Sequence, residues 1–269
     1  MENKRPDIYK LKTMEVVKES LYLYKNNYKL LLKISLISFL ISMINTVFSY
    51  FLTISEISAA NIVITLAISL LVIYFKVMLT VAMYISISNR YSGKLITFRE
   101  AFEKSKESVW TYIGTGILFI LIMLPSVLIG LGVYLTAKTD LLKYLLLLIV
   151  AVPSIYLAII YEFAPLASVI EKGKAYEEGK ASYFKLSKRL VQNNFWRITL
   201  LMASMILIIN LPSLFITNIN PWFKALSALN QTVMNLLHDF LFVFVSPAVS
   251  CLIVVLYLTL REKVVFKQQ

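Results

Sequence analysis

The sequence predicts an all-α polytopic membrane protein: six transmembrane helices, paired as three parallel-repeat hairpins, with amphipathic cytoplasmic helices beside them. Three observations predict it. The 269 residues are 59% apolar and only 16% charged, whereas a soluble domain of this length carries about a quarter of its residues as charges. The apolar residues lie in runs near the ~20 residues a helix needs to cross ~30 Å of hydrocarbon. The cationic residues gather on alternate sides of those runs. A single integral membrane domain over 1–269 follows.

The first apolar run is Ile34–Leu52, the second Ala59–Ser88 with Lys76 inside it, and the third Tyr112–Leu135. The fourth is Leu141–Tyr161, with weaker apolar character continuing to Ile170. The fifth is Ile198–Ile216 and the sixth Phe240–Leu260. "YLLLLIVAVPSIYLAII" and "ITLLMASMILIIN" do not alternate as barrel strands do, and in lipid only helices or closed barrels satisfy their backbone groups. No short apolar segment with a small-residue cleavage site precedes Ile34, so no cleavable signal peptide is expected.

Orientation follows from Lys and Arg. Of 27 such residues, 23 fall in the N-terminal segment, the loops after the second and fourth runs, and the C-terminal tail. The opposite loops hold Lys138, Lys143 and Lys224 only. Both termini are therefore expected in the cytoplasm. The net charge of +12 is then loop bias, and nucleic acid is not expected as a partner. The Ile-, Lys- and Asn-rich usage suggests a bacterial source, so the expected location is the bacterial cytoplasmic membrane.

The loops resemble one another. "GKLITFREAFEKSKESVW" (93–110) aligns without gaps on "GKASYFKLSKRLVQNNFW" (179–196), matching Gly93, Lys94, Phe98 and Trp110 with Gly179, Lys180, Phe184 and Trp196. "LYKNNYK" (23–29) echoes "LVQNNFW" (190–196), Asn26–Asn27 over Asn193–Asn194. This predicts repeats over about 8–89, 90–172 and 173–269, each an amphipathic helix followed by two spans. In the third copy Tyr183, Leu186 or Ser187, Leu190, Val191 and Asn194 take one helical face, and Lys185, Lys188, Arg189, Gln192 and Asn193 the other. In the second, Thr97 and Glu100 form a capping box, and Phe98, Ala101, Phe102 and Val109 make the stripe. Arg99, Lys104, Lys106, Lys185, Lys188, Arg189 and Arg197, with Trp110 and Trp196, are expected at the lipid interface. Packing against the cytoplasmic end of the bundle is compatible with that placement. Trp222, after Pro221, fits an outer aromatic belt.

Two charges lie inside apolar runs. Lys76 and Glu162 stand at the repeat offset from one another, each after an aromatic-apolar stretch ("LVIYFK", "LAIIYE"). They read as an intramembrane polar pair marking a cavity, or as two side chains snorkelling to nearby headgroups. Pro165 and Pro247 are expected to break the return helices, framing a site or shaping packing. His238–Asp239 sits at the outer edge of the sixth run as a titrating or a merely interfacial pair.

Catalytic and metal chemistry are not expected. One cysteine, Cys251, forms no internal disulfide, and one histidine excludes a metal site built from several His and Cys ligands. Walker, dinucleotide, nucleophile-elbow and HExxH motifs are absent. No cofactor is implied.

One resemblance stands beside this reading. "VKESLYLYKNNYKLLL" (17–32), Glu171, the stretch Tyr183–Leu190 with Ser187, then Asn194, Phe195, Trp196 and Arg197, and Tyr257 through Arg261 resemble a bacterial group. It comprises the membrane domain attached to some glycerophosphoryl diester phosphodiesterases and related six-span proteins. The resemblance implies a six-helix membrane domain and supplies no catalytic residues. That family's soluble phosphodiesterase barrel needs several acidic and histidine ligands, which this chain does not supply. The expected function is non-enzymatic: binding lipid, an amphiphile or a membrane protein partner, in envelope homeostasis or peptide tolerance. A small-solute transporter or permease subunit is the alternative.

Overall fold

The computed structural model describes residues 13–54, 58–136, 139–171, 181–192, 194–219 and 228–266. Among them it is helical throughout, without strands. Eight helices follow in order: α1 (Thr13–Ile54), α2 (Ala59–Tyr91), α3 (Phe98–Thr136), α4 (Asp140–Tyr161), α5 (Phe163–Ile170), α6 (Ala181–Gln192), α7 (Phe195–Ile219) and α8 (Ala228–Phe266). Gly179–Lys180, Asn193, Lys138, Pro221–Trp222 and Lys224, which figure in the repeat, the charge count and the outer belt, lie outside the described residues.

Local chemistry sets the helix ends. Ser58 caps α2, its Oγ accepting from the Asn61 N–H at 3.2 Å. At the other end the Lys94 N–H donates to Asn89 O (2.9 Å) and the Gly93 N–H to Arg90 O (3.0 Å). That is the Schellman pattern, and it requires the left-handed φ of 78° that Gly93 adopts. The capping box opens α3: Glu100 N–H donates to Thr97 Oγ1 at 3.3 Å, and Thr97 N–H to Glu100 Oε2 at 2.8 Å. Thr139 caps α4 through Leu142 N–H at 3.4 Å.

Five described helical stretches are long and apolar enough to cross a membrane: Thr13–Phe48, Asn61–Tyr91, Phe98–Thr136, Leu146–Ile170 and Leu236–Glu262. The apolar part of α7 among the described residues, Phe195–Asn210, is shorter. The most apolar stretch of α3 is wholly unburied by protein, and Ile120, Leu128 and Leu135 are among its exposed side chains. In a water-soluble chain such a surface would be an unpaid hydrophobic cost of many ångströms of helix.

Two expectations about helix breaks change. The first two expected amphipathic segments are not separate helices: α1 and α3 run on unbroken from their polar first turns into their apolar stretches. In the first case Asn27 stays inside the helix, its Nδ2 donating across to Ser86 Oγ on α2 at 3.1 Å. Only α6 is detached from the helix after it. There Asn194 N–H closes on Val191 O (2.8 Å), and Asn194 O accepts the first bond of α7 from Ile198 N–H (3.0 Å).

The prolines also differ from one another. Pro165 lacks the N–H that would reach Tyr161 O, and the helix is interrupted one residue after Tyr161, at Glu162. Pro247 stands inside α8, which continues through it. It therefore removes the helical donor to Val243 O without ending the helix.

The helices form two compact units. One comprises Met1–Glu107 with Leu201–Thr259, the other Ser108–Leu200 with Leu260–Gln269. Their boundaries fall inside α3, α7 and α8. In the first unit α1 and α2 pack as an antiparallel hairpin, pinned by the Asn27–Ser86 bond and by Ser69 Oγ donating to Asn45 Oδ1 at 3.2 Å. Leu31, Ile34, Met78, Leu79 and Val81 are buried there, and Phe39 meets Phe240 of α8 edge-on at 5.8 Å. In the second unit α5 is buried on almost every side, and α6 packs on α4 and α5.

Candidate functional site

Polar side chains in the first unit converge on one cavity of about 150 Å³. On α1, Ser35, Ser38 and Ser42 line it, spaced three and four apart on one helical face. On α2 the lining residues include Lys76 and Thr80, one turn apart, and on α8 Asp239, Ser246 and Ser250. Ile34, Leu79, Met83 and Val243 close the apolar side. Ser42 Oγ donates to Ser38 O at 3.1 Å, and Thr80 Oγ1 to Lys76 O at 2.9 Å. Ser35 and Ser250 are 5% and 8% exposed. Val243, whose carbonyl lost its helical donor to Pro247, is also in the lining.

The hairpin register fixes the level of this cavity along α1. The two cross-helix bonds, Asn27–Ser86 and Asn45–Ser69, together put Lys76 level with Ser38. Lys33 is the last charged residue before the apolar run of α1. Ser38 lies about 7.5 Å of helix rise beyond it. Lys76 is exposed and stands at the cavity rim. Asp239 is half-buried there, with its Oδ1 3.5 Å from His238 Nδ1; the His238 ring stacks on Phe242, another lining residue.

Glu162 belongs to the second unit and Lys76 to the first. Glu162 sits at the interruption between α4 and α5, half-buried. Its neighbour Tyr161 packs edge-on against Phe184 of α6 at 5.4 Å.

The second unit carries the amphipathic helix. Tyr183, Phe184, Ser187, Leu190 and Val191 of α6 are buried, while Lys185, Lys188, Arg189 and Gln192 are exposed. Ser187 Oγ donates to Ile160 O at 2.6 Å, tying α6 to the last turn of α4. Trp196 and Arg197 are exposed at the start of α7. Arg99, Lys104, Lys106 and Trp110 are likewise exposed on α3, with Lys106 paired to Glu103 at 3.0 Å.

No protein-family model, curated protein or solved structure matches this chain. Function must be argued from its own residues. Among the described residues no group of three or more His, Cys, Asp and Glu is placed to hold a metal.

Two constellations were not singled out as such from the sequence. The serine-lined cavity had a usable signal, because hydroxyls recur at helical spacing inside apolar runs of α1 and α8. The second is an ion pair: Arg261 Nε lies 2.7 Å from Oε1 of the buried Glu171. Ninety residues separate the two, and no local pattern announces their contact.

Proposed function

We propose that this chain is a six-span protein of the bacterial cytoplasmic membrane, with both termini cytoplasmic. In this reading it is non-enzymatic and holds anionic lipid, an amphiphile or a membrane protein partner at the cytoplasmic leaflet, in envelope homeostasis or peptide tolerance. The resemblance to the membrane domain of glycerophosphoryl diester phosphodiesterases belongs to the same proposal, as does α7 as the fifth span. One observation carries it: α6 buries Tyr183, Phe184, Ser187, Leu190 and Val191 and turns Lys185, Lys188 and Arg189 outward. A short basic amphipathic helix, separate from the apolar helix it precedes, has the composition of an interfacial element. Each cation near an anionic surface contributes about 1 kcal/mol.

The test uses the full chain in nanodiscs of mixed phosphatidylglycerol and phosphatidylcholine. The wild type is expected to retain phosphatidylglycerol preferentially on release into detergent, read by native mass spectrometry. Lys185→Glu, Lys188→Glu and Arg189→Glu together are expected to lower that retention roughly tenfold or more, with normal insertion. Equal retention in both proteins sinks the reading.

The second reading, a small-solute transporter or permease subunit, draws on the polar cavity around Lys76. Solute uptake that depends on Lys76 and ignores the α6 charges would favour it.

A further inference from the structure

We propose that the cavity between α1, α2 and α8 binds a small zwitterion carrying an ammonium and a phosphate, as in a phosphoethanolamine headgroup. The site is distinct from α6 and does not depend on it.

The charges of the lining define the class of guest. Lys76 and Asp239 face the same space. A lone anion would meet Asp239, and a lone cation would meet Lys76. A guest with both signs satisfies both. The hydroxyls suit the same guest, because each donates one hydrogen bond and accepts others. Ser35 and Ser250 line the cavity and are placed to donate to phosphate oxygens.

Size narrows the guest further. About 150 Å³ is well below the roughly 300–1,000 Å³ of a site for a drug-sized molecule. It suits a headgroup and leaves acyl chains outside. A free solute carrying the same groups has the same recognition chemistry.

The full chain is tested in detergent by native mass spectrometry against phosphatidylethanolamine and phosphatidylcholine. Both lipids are net neutral, so the α6 cations do not discriminate between them, and failure here leaves the α6 reading standing. Only phosphatidylethanolamine has ammonium N–H groups to give to Asp239. The wild type is expected to retain it about tenfold better than phosphatidylcholine, the effect of one charge-assisted hydrogen bond. Asp239→Asn is expected to erase that difference, and Lys76→Met to lower retention of both lipids about tenfold. Ser246→Leu fills the cavity from α8 and touches neither charge; it is expected to lower phosphatidylethanolamine retention likewise, with melting temperature as the check on folding. Displacement of the lipid by free phosphoethanolamine at millimolar concentration assigns the site to a soluble source. Retention against it assigns the site to lipid. Equal wild-type retention of the two lipids overturns the proposal, as does a preference that survives both Asp239→Asn and Ser246→Leu.

Discussion

Arg261 Nε approaches Glu171 Oε1 to 2.7 Å, joining the end of α8 to the residue that closes α5. The Glu171 side chain is 7% exposed and that of Arg261 27%. A carboxylate so buried is tolerated because a guanidinium offers a charge-assisted bond in return.

Removing one partner takes away the charge-assisted bond that offsets the other's loss of solvent. Arg261→Met is expected to lower stability by about 3 kcal/mol, read as a shift in the unfolding midpoint in mild detergent. Glu171→Gln should cost less than Arg261→Met, because it removes the buried charge itself. The double variant is expected to be less destabilised than the sum of the two singles. Strict additivity would mean that the contact carries no coupling energy.

Ser187 is the second fastening. Its hydroxyl donates to the Ile160 carbonyl at the end of α4, where a helix leaves carbonyls without internal donors. Ser187→Ala removes the donor and nothing else but the hydroxyl oxygen. A loss of about 1–2 kcal/mol is expected, with faster amide exchange across 181–192. Unchanged exchange there would show that the apolar face alone holds α6.

Gly93 tests the turn after α2. Nothing lies within 4 Å of a Cβ built there, so space is not the constraint, whereas φ of +78° is. Gly93→Ala is expected to destabilise by about 1 kcal/mol, and Gly93→Asn by less, since asparagine tolerates the left-handed region better. Equal effects of the two would argue against a conformational origin.

The α1–α2 register can be trapped chemically. In a Cys251→Ala background, Asn27→Cys with Ser86→Cys and Asn45→Cys with Ser69→Cys are each expected to link through a short bifunctional thiol reagent. The crossed pair, Asn27→Cys with Ser69→Cys, is expected not to. Linkage of the crossed pair would displace Lys76 from the level of Ser38.

Topology is open to labelling. Lys138→Cys in a Cys251→Ala background is expected to react with a membrane-impermeant maleimide in intact cells, and Lys185→Cys only after permeabilisation. Reaction of Lys185→Cys in intact cells would exclude both long basic loops from the cytoplasm.

The sequence disclosed some of this and hid the rest for definite reasons. Apolar run length locates the helices, as with Leu141–Tyr161 against α4, because a span leaves little freedom in its bounds. The capping box at Thr97 and Glu100 is local chemistry and is legible for that reason. Spacing places Tyr183, Leu190 and Val191 on the buried face of α6, but it leaves Leu186 against Ser187 open and omits Phe184. Whether a helix stops is less legible: Asn26–Asn27 and Asn193–Asn194 look alike in the chain, yet Asn27 finds Ser86 on α2 and the helix continues. A proline likewise does not disclose its outcome, since Pro165 follows an interruption and Pro247 is absorbed. The cavity and the Glu171–Arg261 pair depend on contacts between distant segments, which single-sequence periodicity does not encode.

The composition of the first unit has a consequence for how the protein is made. Its members are separated in time, because the α8 residues that complete the cavity leave the ribosome long after α1 and α2. Until Asp239, Ser246 and Ser250 arrive, Ser35, Ser38, Ser42 and Lys76 lack a third wall, and the nascent hairpin holds its polar groups toward lipid or an insertase. A chain stopped before residue 228 would display that unfinished surface, and quality-control proteases that recognise polar groups in the bilayer would have a reason to remove it.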